Sequence, residues 1–212
     1  SMLPNKTIIA GSASLDKNVA EFSVENEVGG LEFLSCIPGS IGGGIRMNSG
    51  CFGTEFKDIL LSVQAVDRTG NVLTIPSVNI KFEYRTNDLP KDLIFLSASF
   101  KGKFKNKDIA KKDIENLKKK KEETQPTRIK TGGSTFRNPI TQTNEKVWKL
   151  IKSSIPANSS FGDATISEKH SNFFVNKNNA TYKDMKELID LVRNSVRKKT
   201  GVNLDLEIEI IG

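Results

Sequence analysis

A glycine-rich stretch, IPGSIGGGIRMNSG at residues 37–50, has glycine at five of its fourteen positions. Glycine lacks a Cβ, so such a stretch lets the backbone approach a ligand closely or enter turns with positive φ. Backbone N–H groups exposed in turns of this kind bind phosphate. The spacing matches neither a Walker loop nor the GxGxxG dinucleotide fingerprint. Two interpretations therefore stay open from composition alone, a phosphate-binding loop and a flexible turn.

A second motif, TGGSTFRNP at 131–139, places two glycines directly before Ser134. The motif lacks the GxSxG pattern of a nucleophile elbow, and the single histidine, His170, is the one conventional base in the chain. Acyl-enzyme chemistry is therefore poorly supported. The hydroxyl of Ser134 remains a candidate proton donor, provided that its surroundings stabilise the alkoxide.

Arg85 and Glu207 are two further candidate functional residues, and for each the alternative is an ordinary solvated surface residue. Arg85 follows the aromatic residues Phe82 and Tyr84, and a guanidinium there can hold a carboxylate in two parallel hydrogen bonds. Glu207 lies on the polar side of a predicted last strand. Both residue types are usually solvated at a protein surface, so local sequence alone assigns neither a catalytic role.

The bulk composition is typical of a soluble globular protein, with 27% charged and 36% hydrophobic residues among 212. No apolar run approaches the roughly 20 residues of a membrane helix, so we expect no membrane partner. The two cysteines, Cys36 and Cys51, form no CxxC motif, and a single histidine cannot complete a zinc site. We therefore predict no metal and a reducing, cytoplasmic location, while a disulfide between the two cysteines stays open.

The net charge of +7 is concentrated in a lysine-rich run at 101–123. Such a run suits either a nucleic-acid patch or a solvated helix with interspersed acidic residues. We favour the helix and expect no nucleic-acid partner, because the aromatic residues needed for base stacking are missing apart from Phe104.

Hydrophobic spacing along the chain predicts a mixture of helices and strands, and therefore an α+β fold. Predicted helices cover residues 14–28, 144–154 and 181–199, with a capping box at Thr181 and Asp184 and a stop at Gly201. Predicted strands are a hairpin at 60–68 and 71–75 and single strands at 92–100, 170–176 and 202–210. We predict two domains, residues 1–105 and residues 106–212.

Five motifs in the same order resemble the UDP-N-acetylenolpyruvoylglucosamine reductase family, the flavoenzymes of peptidoglycan precursor synthesis. They are GLEFLSCIPGSIGGGIRMNSGCFGTEFKD, YRTNDL, QPTRIKTGGSTFRNP, ATISEKHSNFFVN and GVNLDLEIEIIG. The resemblance covers nearly the whole chain. It implies the second subdomain of a two-part FAD-binding domain, followed by a smaller α+β substrate-binding domain.

The resemblance implies two cofactors, FAD and NADPH, and one substrate, UDP-N-acetylglucosamine enolpyruvate. NADPH would reduce the flavin, which would then give hydride to the β carbon of the enolpyruvyl group. Protonation of the resulting enol-like species would yield UDP-N-acetylmuramate. By the same resemblance, Ser134 would be the proton donor, and Arg85 and Glu207 would bind the carboxylate and stabilise the enol.

The resemblance also assigns binding residues. The implied neighbours of the flavin and its diphosphate are Ile37, Pro38, Gly39, Ser40, Gly42, Gly43, Met47, Asn48 and Gly50. The implied contacts of the uridine diphosphate are Arg128, Lys130 and Asn138.

One part of the family pattern, a first flavin-binding subdomain with a GxGSN-type loop, is not found in this sequence. We therefore expect flavin contacts to be incomplete, which leaves the activity of this chain open, and we expect an uncovered apolar surface that favours self-association. The alternative function is a non-catalytic fragment that binds the nucleotide sugar without flavin. A smaller departure is Phe161-Gly162-Asp163-Ala164, where the family has a glycine-rich segment.

Overall fold

Two antiparallel four-stranded sheets, one in the first part of the chain and one in the second, organise the fold. The computed structural model describes residues 1–127 and 129–211. It divides the chain into two units, Ser1–Lys121 (unit 1) and Glu122–Gly212 (unit 2). Each unit has its own hydrophobic core, as expected when sheets and helices each bury one apolar face.

The elements of unit 1 alternate strands with short helices. The strands are β1 (Ile8–Gly11), β2 (Val28–Gly29), β3 (Gly50–Cys51), β4 (Thr54–Glu55), β5 (Leu60–Val66), β6 (Val72–Pro76), β7 (Phe82–Glu83), β8 (Thr86–Asn87), β9 (Ile94–Phe100) and β10 (Lys103–Phe104). The α-helices are α1 (Asp16–Glu25), α2 (Ile41–Arg46), α3 (Phe56–Ile59) and α4 (Lys107–Thr124), with 3-10 helices at Glu32–Cys36 and Ser77–Asn79.

The main sheet of unit 1 has the strand order β1-β9-β5-β6. Its central strands alternate, so that Val63, Ala65 and Ala98 are buried while their neighbours face outward. The predicted hairpin of β5 and β6 is confirmed. Its turn places Gly70 at φ 88°, and the Asp67 carboxylate accepts hydrogen bonds from the N–H groups of Thr69 and Asn71 at 2.9 and 3.0 Å.

Helix α4 is the predicted lysine-rich helix. Its buried residues, Ala110 and Ile114, belong to the core of unit 1. The predicted domain boundary, between residues 105 and 106, precedes this helix, whereas the division between the units follows Lys121. The difference arises because the two apolar residues that attach the helix to the core of unit 1 are hard to recognise in a sequence that is otherwise rich in lysine.

Unit 2 is built around the sheet β11-β14-β13-β12. Its elements are β11 (Thr131–Ser134), α5 (Val147–Ser154), β12 (Ser160–Phe161), β13 (Ala164–Ile166), β14 (Phe173–Asn176) and α6 (Tyr182–Thr200). Helix α6 has the predicted capping box at Thr181 and Asp184 and ends at Gly201, which adopts φ 74°. The mixed content confirms the α+β prediction.

The last segment departs from its prediction. Residues 202–210 were expected to form a strand, but they make only an isolated bridge, between Leu206 and Phe136. Two backbone hydrogen bonds flank it, from Glu207 N to Thr135 O and from Arg137 N to Asp205 O, both 2.9 Å. The residues that face this segment, 135–137, lie beyond the end of strand β11 at Ser134, and of these Phe136 alone forms a bridge, so the pairing does not extend into a regular ladder.

Across residues 1–127 and 129–211, no helix is both long enough and apolar enough to span a bilayer.

Candidate active site

The centre of the glycine-rich stretch is a short helix rather than the loop or turn that its composition predicts. Helix α2 covers Ile41–Arg46, and the Ser40 hydroxyl accepts a hydrogen bond from Gly43 N at its start. Glycine lowers helix stability by roughly 1 kcal/mol per residue relative to alanine. The helix is instead held by burial of Ile41 and Ile45, both completely inaccessible to solvent.

Two of the glycines in α2 are explained by packing within the protein. A Cβ at Gly44 would lie 2.2 Å from Cζ of the buried Phe56 ring, and a Cβ at Gly42 would lie 3.2 Å from Cβ of Ser12. Gly43 is different. It is exposed, its φ is not positive, and an added Cβ would meet only Ser40 Oγ, at 3.7 Å. No internal contact requires glycine at 43, so that position is open to a close-approaching ligand.

The other predicted cofactor neighbours are mostly accessible. Pro38 and Gly39 are exposed, and Ile37, Ser40, Gly42, Met47 and Gly50 are partly exposed. Asn48 is the exception, since it is completely buried at φ 41°. Its side-chain amide donates to Glu55 Oε2 and Glu83 O and accepts from Lys57 N. Its side chain therefore organises the protein around the site.

Asp16 lies behind this segment and was not singled out from the sequence. It is fully buried, and its carboxyl oxygens have no hydrogen-bond partner within the described residues. Its backbone N–H donates to Gly39 O at 3.1 Å. Burial raises the pKa of Asp16 to about 7, because an unpartnered carboxylate in an apolar setting favours the neutral form.

Arg85 occupies the two-residue turn between β7 and β8 and adopts a left-handed φ of 59°. Such a conformation strains a non-glycine residue and is typical of functional positions. Its guanidinium donates to Asn48 O at 3.4 Å and to Gly50 O at 3.3 Å. It also pairs with Glu55 at 3.7 Å and lies over the Tyr84 ring, 5.0 Å from its centroid.

A cavity of about 480 Å³ lies beside this guanidinium. Its wall includes Gly50, Cys51, Phe52, Glu55, Tyr84 and Arg85. The positive charge of Arg85 is therefore fixed at the end of the glycine-rich stretch, next to open space. Glu55, which anchors it, was missed from the sequence. The sequence signal at Glu55 was its spacing from Asp58, which is typical of a helix start, and the two residues form the capping box of α3.

Ser134 and Glu207 are brought close together in unit 2. Ser134 ends strand β11, and Glu207 pairs through its backbone with the next residue, Thr135. Both side chains are partly exposed. Arg85 belongs to unit 1.

Asn172 fixes the backbone that follows Ser134. It is buried, its side-chain oxygen accepts from Phe136 N at 3.0 Å, and its side-chain nitrogen donates to Phe136 O at 2.8 Å. Thr135 N donates to Asn172 O at 2.8 Å. The sequence signal for this role was a lone asparagine before the apolar run FFV, where a buried amide needs backbone partners.

The predicted substrate-binding residues lie in different surroundings. Asn138 is partly exposed, and its side-chain oxygen accepts from Val147 N at the start of α5 at 3.1 Å. Lys130 is exposed, and its ammonium donates to Asn178 O at 3.2 Å. Arg128 lies outside the described residues.

A second cavity, of about 330 Å³, lies within unit 2. Its lining includes Trp148, Ile151, Lys152, Lys169, His170 and Ser171. His170 Nδ1 accepts from Asn172 N at 3.3 Å, and burial lowers the pKa of the imidazole. The cavity therefore combines an indole and an imidazole with two ammonium groups, from Lys152 and Lys169, and two carboxylates, from Glu123 and Glu168. From sequence, His170 was considered only as the one conventional base in the chain.

In the described parts of the chain, no three His, Cys, Asp or Glu side chains lie close enough together to hold a metal ion.

Comparisons with known proteins agree along almost the full chain. Residues 125–211 match the family model "UDP-N-acetylenolpyruvoylglucosamine reductase, C-terminal domain", and residues 3–76 match the model "FAD binding domain". The UDP-N-acetylenolpyruvoylglucosamine reductase of Pelagibacter ubique is 61% identical over 211 residues, which are 100% of this chain and 70% of the relative. That of Rickettsia conorii is 44% identical, over 97% of this chain and 68% of the relative.

A solved structure gives the same result for the fold. The crystal structure of UDP-N-acetylenolpyruvylglucosamine reductase (MurB) from Thermus caldophilus superposes with a TM-score of 0.82 at 29% identity. The match covers 95% of this chain and 71% of that one.

Proposed function

The chain belongs to the UDP-N-acetylenolpyruvoylglucosamine reductase family, and from this premise we propose that it serves the NADPH-dependent, FAD-mediated reduction of UDP-N-acetylglucosamine enolpyruvate to UDP-N-acetylmuramate. The family comprises flavin-dependent oxidoreductases of peptidoglycan synthesis, with FAD and NADPH as cofactors. When bound, FAD supplies hydride transfer from NADPH to the β carbon of the substrate.

The residues present in unit 1 fit a flavin. Pro38, Gly39 and Gly43 are exposed, and the space that a Cβ at Gly43 would enter holds only Ser40 Oγ, at 3.7 Å. We propose that these backbones, together with Ile37, Ser40, Gly42, Met47 and Gly50, contact the flavin and its diphosphate. Asn48, with its side chain directed inward, would contribute by fixing the backbone rather than through its amide.

The observation that carries the proposal is the fixed guanidinium of Arg85 at the end of this stretch. Carbonyl oxygens of Asn48 and Gly50 hold the guanidinium from one side, and its side chain is 18% exposed toward the cavity region. A preorganised cation stabilises developing negative charge strongly where water is excluded. Arg85 would bind the substrate carboxylate and, with Glu207, stabilise the enol-like species.

Ser134 would deliver the proton that completes the reaction. Asn172 holds the backbone after Ser134 through both of its amide groups, and such positioning keeps a proton donor within reach of its acceptor. Lys130, Asn138 and Arg128 would contact the uridine diphosphate. We further propose that the unit 2 cavity accommodates a flat ring of the nucleotide sugar, since Trp148 offers an indole for stacking, while the charges of its two lysines are matched by those of Glu123 and Glu168.

A flavin experiment tests this function. The purified chain is titrated with FAD, desalted and scanned for a retained flavin band. NADPH is then added without oxygen, followed by the enolpyruvyl substrate. We expect a retained band, bleaching by NADPH and recovery of the oxidised spectrum with substrate. A chain that binds the substrate calorimetrically but retains no FAD would contradict the proposal.

That contrary outcome would support the second candidate, a nucleotide-sugar-binding protein without flavin. The observation in its favour is that unit 2 has its own hydrophobic core and its own cavity.

Two further proposals concern the setting of the protein. Cys36 and Cys51 are free thiols, which supports a cytoplasmic location. An apolar row across the main sheet of unit 1 supports self-association, because Val72 and Ile94 flank Val66 and are 58% and 63% exposed.

A further inference from the structure

The hairpin that carries Arg85 is too small to hold itself in place. It consists of β7 and β8, which form a two-stranded sheet of their own, separate from the main sheet of unit 1. Its ladder pairs Phe82 with Asn87 and Glu83 with Thr86. An isolated two-stranded hairpin is marginally stable at best in water. The direction of the Arg85 side chain in its turn therefore depends on what attaches the hairpin to the rest of unit 1.

Asn87, at the base of the hairpin, attaches it to the end of helix α2. Its side-chain nitrogen donates to Ile45 O at 2.9 Å and to Arg46 O at 3.0 Å. Its side-chain oxygen accepts from Leu89 N at 3.1 Å. The last carbonyl groups of a helix need partners from outside the helical pattern. The amide of Asn87 therefore caps α2 from a different element.

The Arg85 guanidinium reaches the same part of the chain, a few residues after α2. It donates to Asn48 O at 3.4 Å and to Gly50 O at 3.3 Å. Ordinary N–H···O hydrogen bonds are about 2.7–3.2 Å long, so these two are weak, whereas all three bonds of Asn87 are of ordinary length. The amide at the base therefore attaches the hairpin more firmly than these two guanidinium bonds do.

Other contacts hold the surroundings of the hairpin. The Asn48 side-chain nitrogen donates to Glu83 O, one backbone atom of β7, at 3.0 Å. The Arg46 guanidinium donates to three carbonyls of the segment 89–93, which follows β8, at 3.0–3.2 Å. Asn87 differs from both because it belongs to the hairpin itself and joins it to two carbonyls of α2 through its side chain.

We propose that Asn87 is a positioning residue for the substrate carboxylate. By fixing the base of the hairpin against α2, it sets the direction of the Arg85 guanidinium beside the 480 Å³ cavity. The inference rests on the proposed role of Arg85 in binding that carboxylate. A guanidinium that turns out of plane loses its two parallel hydrogen bonds to a carboxylate although its charge stays. Asn87 therefore matters for a ligand that brings a carboxylate to this site.

Calorimetry on the whole chain with two ligands tests this role. Asn87→Asp keeps the size of the side chain but places an oxygen opposite the carbonyls of Ile45 and Arg46. We expect it to bind the enolpyruvyl substrate about 10-fold more weakly, within the range for coupled neighbours. Its affinity for UDP-N-acetylglucosamine, which lacks the carboxylate, should stay unchanged. Asn71→Ala removes an amide that is hydrogen-bonded within the turn after β5, and this matched control should bind both ligands like the unaltered protein.

Arg85→Ala separates a failure of this inference from a failure of the proposed function. Combined with Arg85→Ala, Asn87→Asp should cause no further loss, because it acts through that guanidinium. If Arg85→Ala weakens binding of the enolpyruvyl substrate while Asn87→Asp has no effect, or the same effect in both backgrounds, the inference is overturned and the role of Arg85 stands. If Arg85→Ala has no effect, or the chain binds neither ligand, the proposed role of Arg85 fails and the inference fails with it.

A second measurement needs no ligand. Phenylglyoxal modifies accessible arginines, and peptide mass spectrometry gives the rate at each position. The Arg85 side chain is 18% exposed and that of Arg68 is 80% exposed, so Arg85 should react more slowly in the unaltered protein. Asn87→Asp, or Asn87→Ala if the aspartate variant does not fold, should raise the Arg85 rate several-fold while Arg68 keeps its rate. An unchanged Arg85 rate in a folded variant would overturn the proposal.

Discussion

The single buried residue Asp16 makes the stability of the folded protein depend on pH. Its carboxyl is completely buried and has no hydrogen-bond partner within the described residues. The folded protein therefore holds this proton up to a pKa of about 7, whereas the unfolded chain releases it near the ordinary aspartate pKa of 3.8. Stability is greatest below the lower value and is lost as the pH rises toward the higher one.

Replacement of this carboxyl should remove that pH dependence. Asp16→Asn cannot ionise, so its unfolding free energy relative to the unaltered protein should increase between pH 4 and pH 7 and level off above. The full difference corresponds to about 4 kcal/mol as an upper bound. Urea unfolding at pH 4 and pH 8 measures most of it. Parallel pH profiles for the two proteins would show that Asp16 is already ionised in the folded state.

Ser134 offers a prediction about the chemistry. In Ser134→Ala, flavin reduction by NADPH should stay unchanged, while reoxidation by the enolpyruvyl substrate should slow by about 10²-fold or more, the usual contribution of a proton donor. Stopped-flow absorbance separates the two steps. Ser160→Ala, at an exposed position in the same unit, is the matched control, and both steps should keep their rates.

Arg85 should not tolerate its conservative replacement. Arg85→Lys keeps the charge but loses the planar fork that contacts the carbonyls of Asn48 and Gly50. We expect the substrate-dependent step to slow by about 10²-fold, by analogy with the loss of a single oxyanion donor. Substrate titration of the reduced enzyme provides the measurement, and an unchanged rate would place Arg85 outside the reaction.

At the scale of elements, helix α2 combines a packing role and a proposed binding role in adjacent glycines. Gly44→Ala should lower stability by about 1–3 kcal/mol, because its Cβ would overlap the Phe56 ring. Gly43→Ala should instead keep or raise stability, by up to about 1 kcal/mol, because the position is helical and open. Thermal unfolding with and without FAD tests both, and only Gly43→Ala should weaken FAD binding while the protein stays folded.

The same elements mark how far the sequence could predict the fold. Helix α6 was predictable because its cap, apolar face and terminal glycine all indicate the same ends. Helix α2 was not, since glycine disfavours helices and this helix is held by the burial of Ile41 and Ile45 in the core of unit 1. The last strand was predicted wrongly because alternation describes one segment alone, whereas a ladder also requires a partner strand, and the facing residues 135–137 lie outside β11. Arg85 and Ser134 could be singled out as candidate functional residues from the sequence. The roles of Glu55 and Asn172, which hold them in position, could not, because those roles depend on tertiary contacts.

At the scale of the whole molecule, the two separate cores have a measurable consequence. The single tryptophan, Trp148, lies in unit 2, so its fluorescence reports that unit alone, whereas circular dichroism reports both. Leu188→Ala, in the core of unit 2, should lower the tryptophan-detected midpoint at a cost of about 2–5 kcal/mol. Val63→Ala, in the core of unit 1, should leave that midpoint unchanged and shift only the remaining dichroism signal. Identical shifts by both probes in both variants would indicate one cooperative unit.

The contact between Gly44 and Phe56 also constrains how sequences of this kind can diverge. A methyl group at position 44 and a phenyl ring at position 56 cannot share the same space, so drift at one site depends on the residue at the other. Lineages that acquire alanine at 44 should carry a smaller side chain at 56, gained first or together with it. An aligned set of relatives should therefore show these two columns changing as a pair, while the neighbouring open glycine column varies independently of position 56.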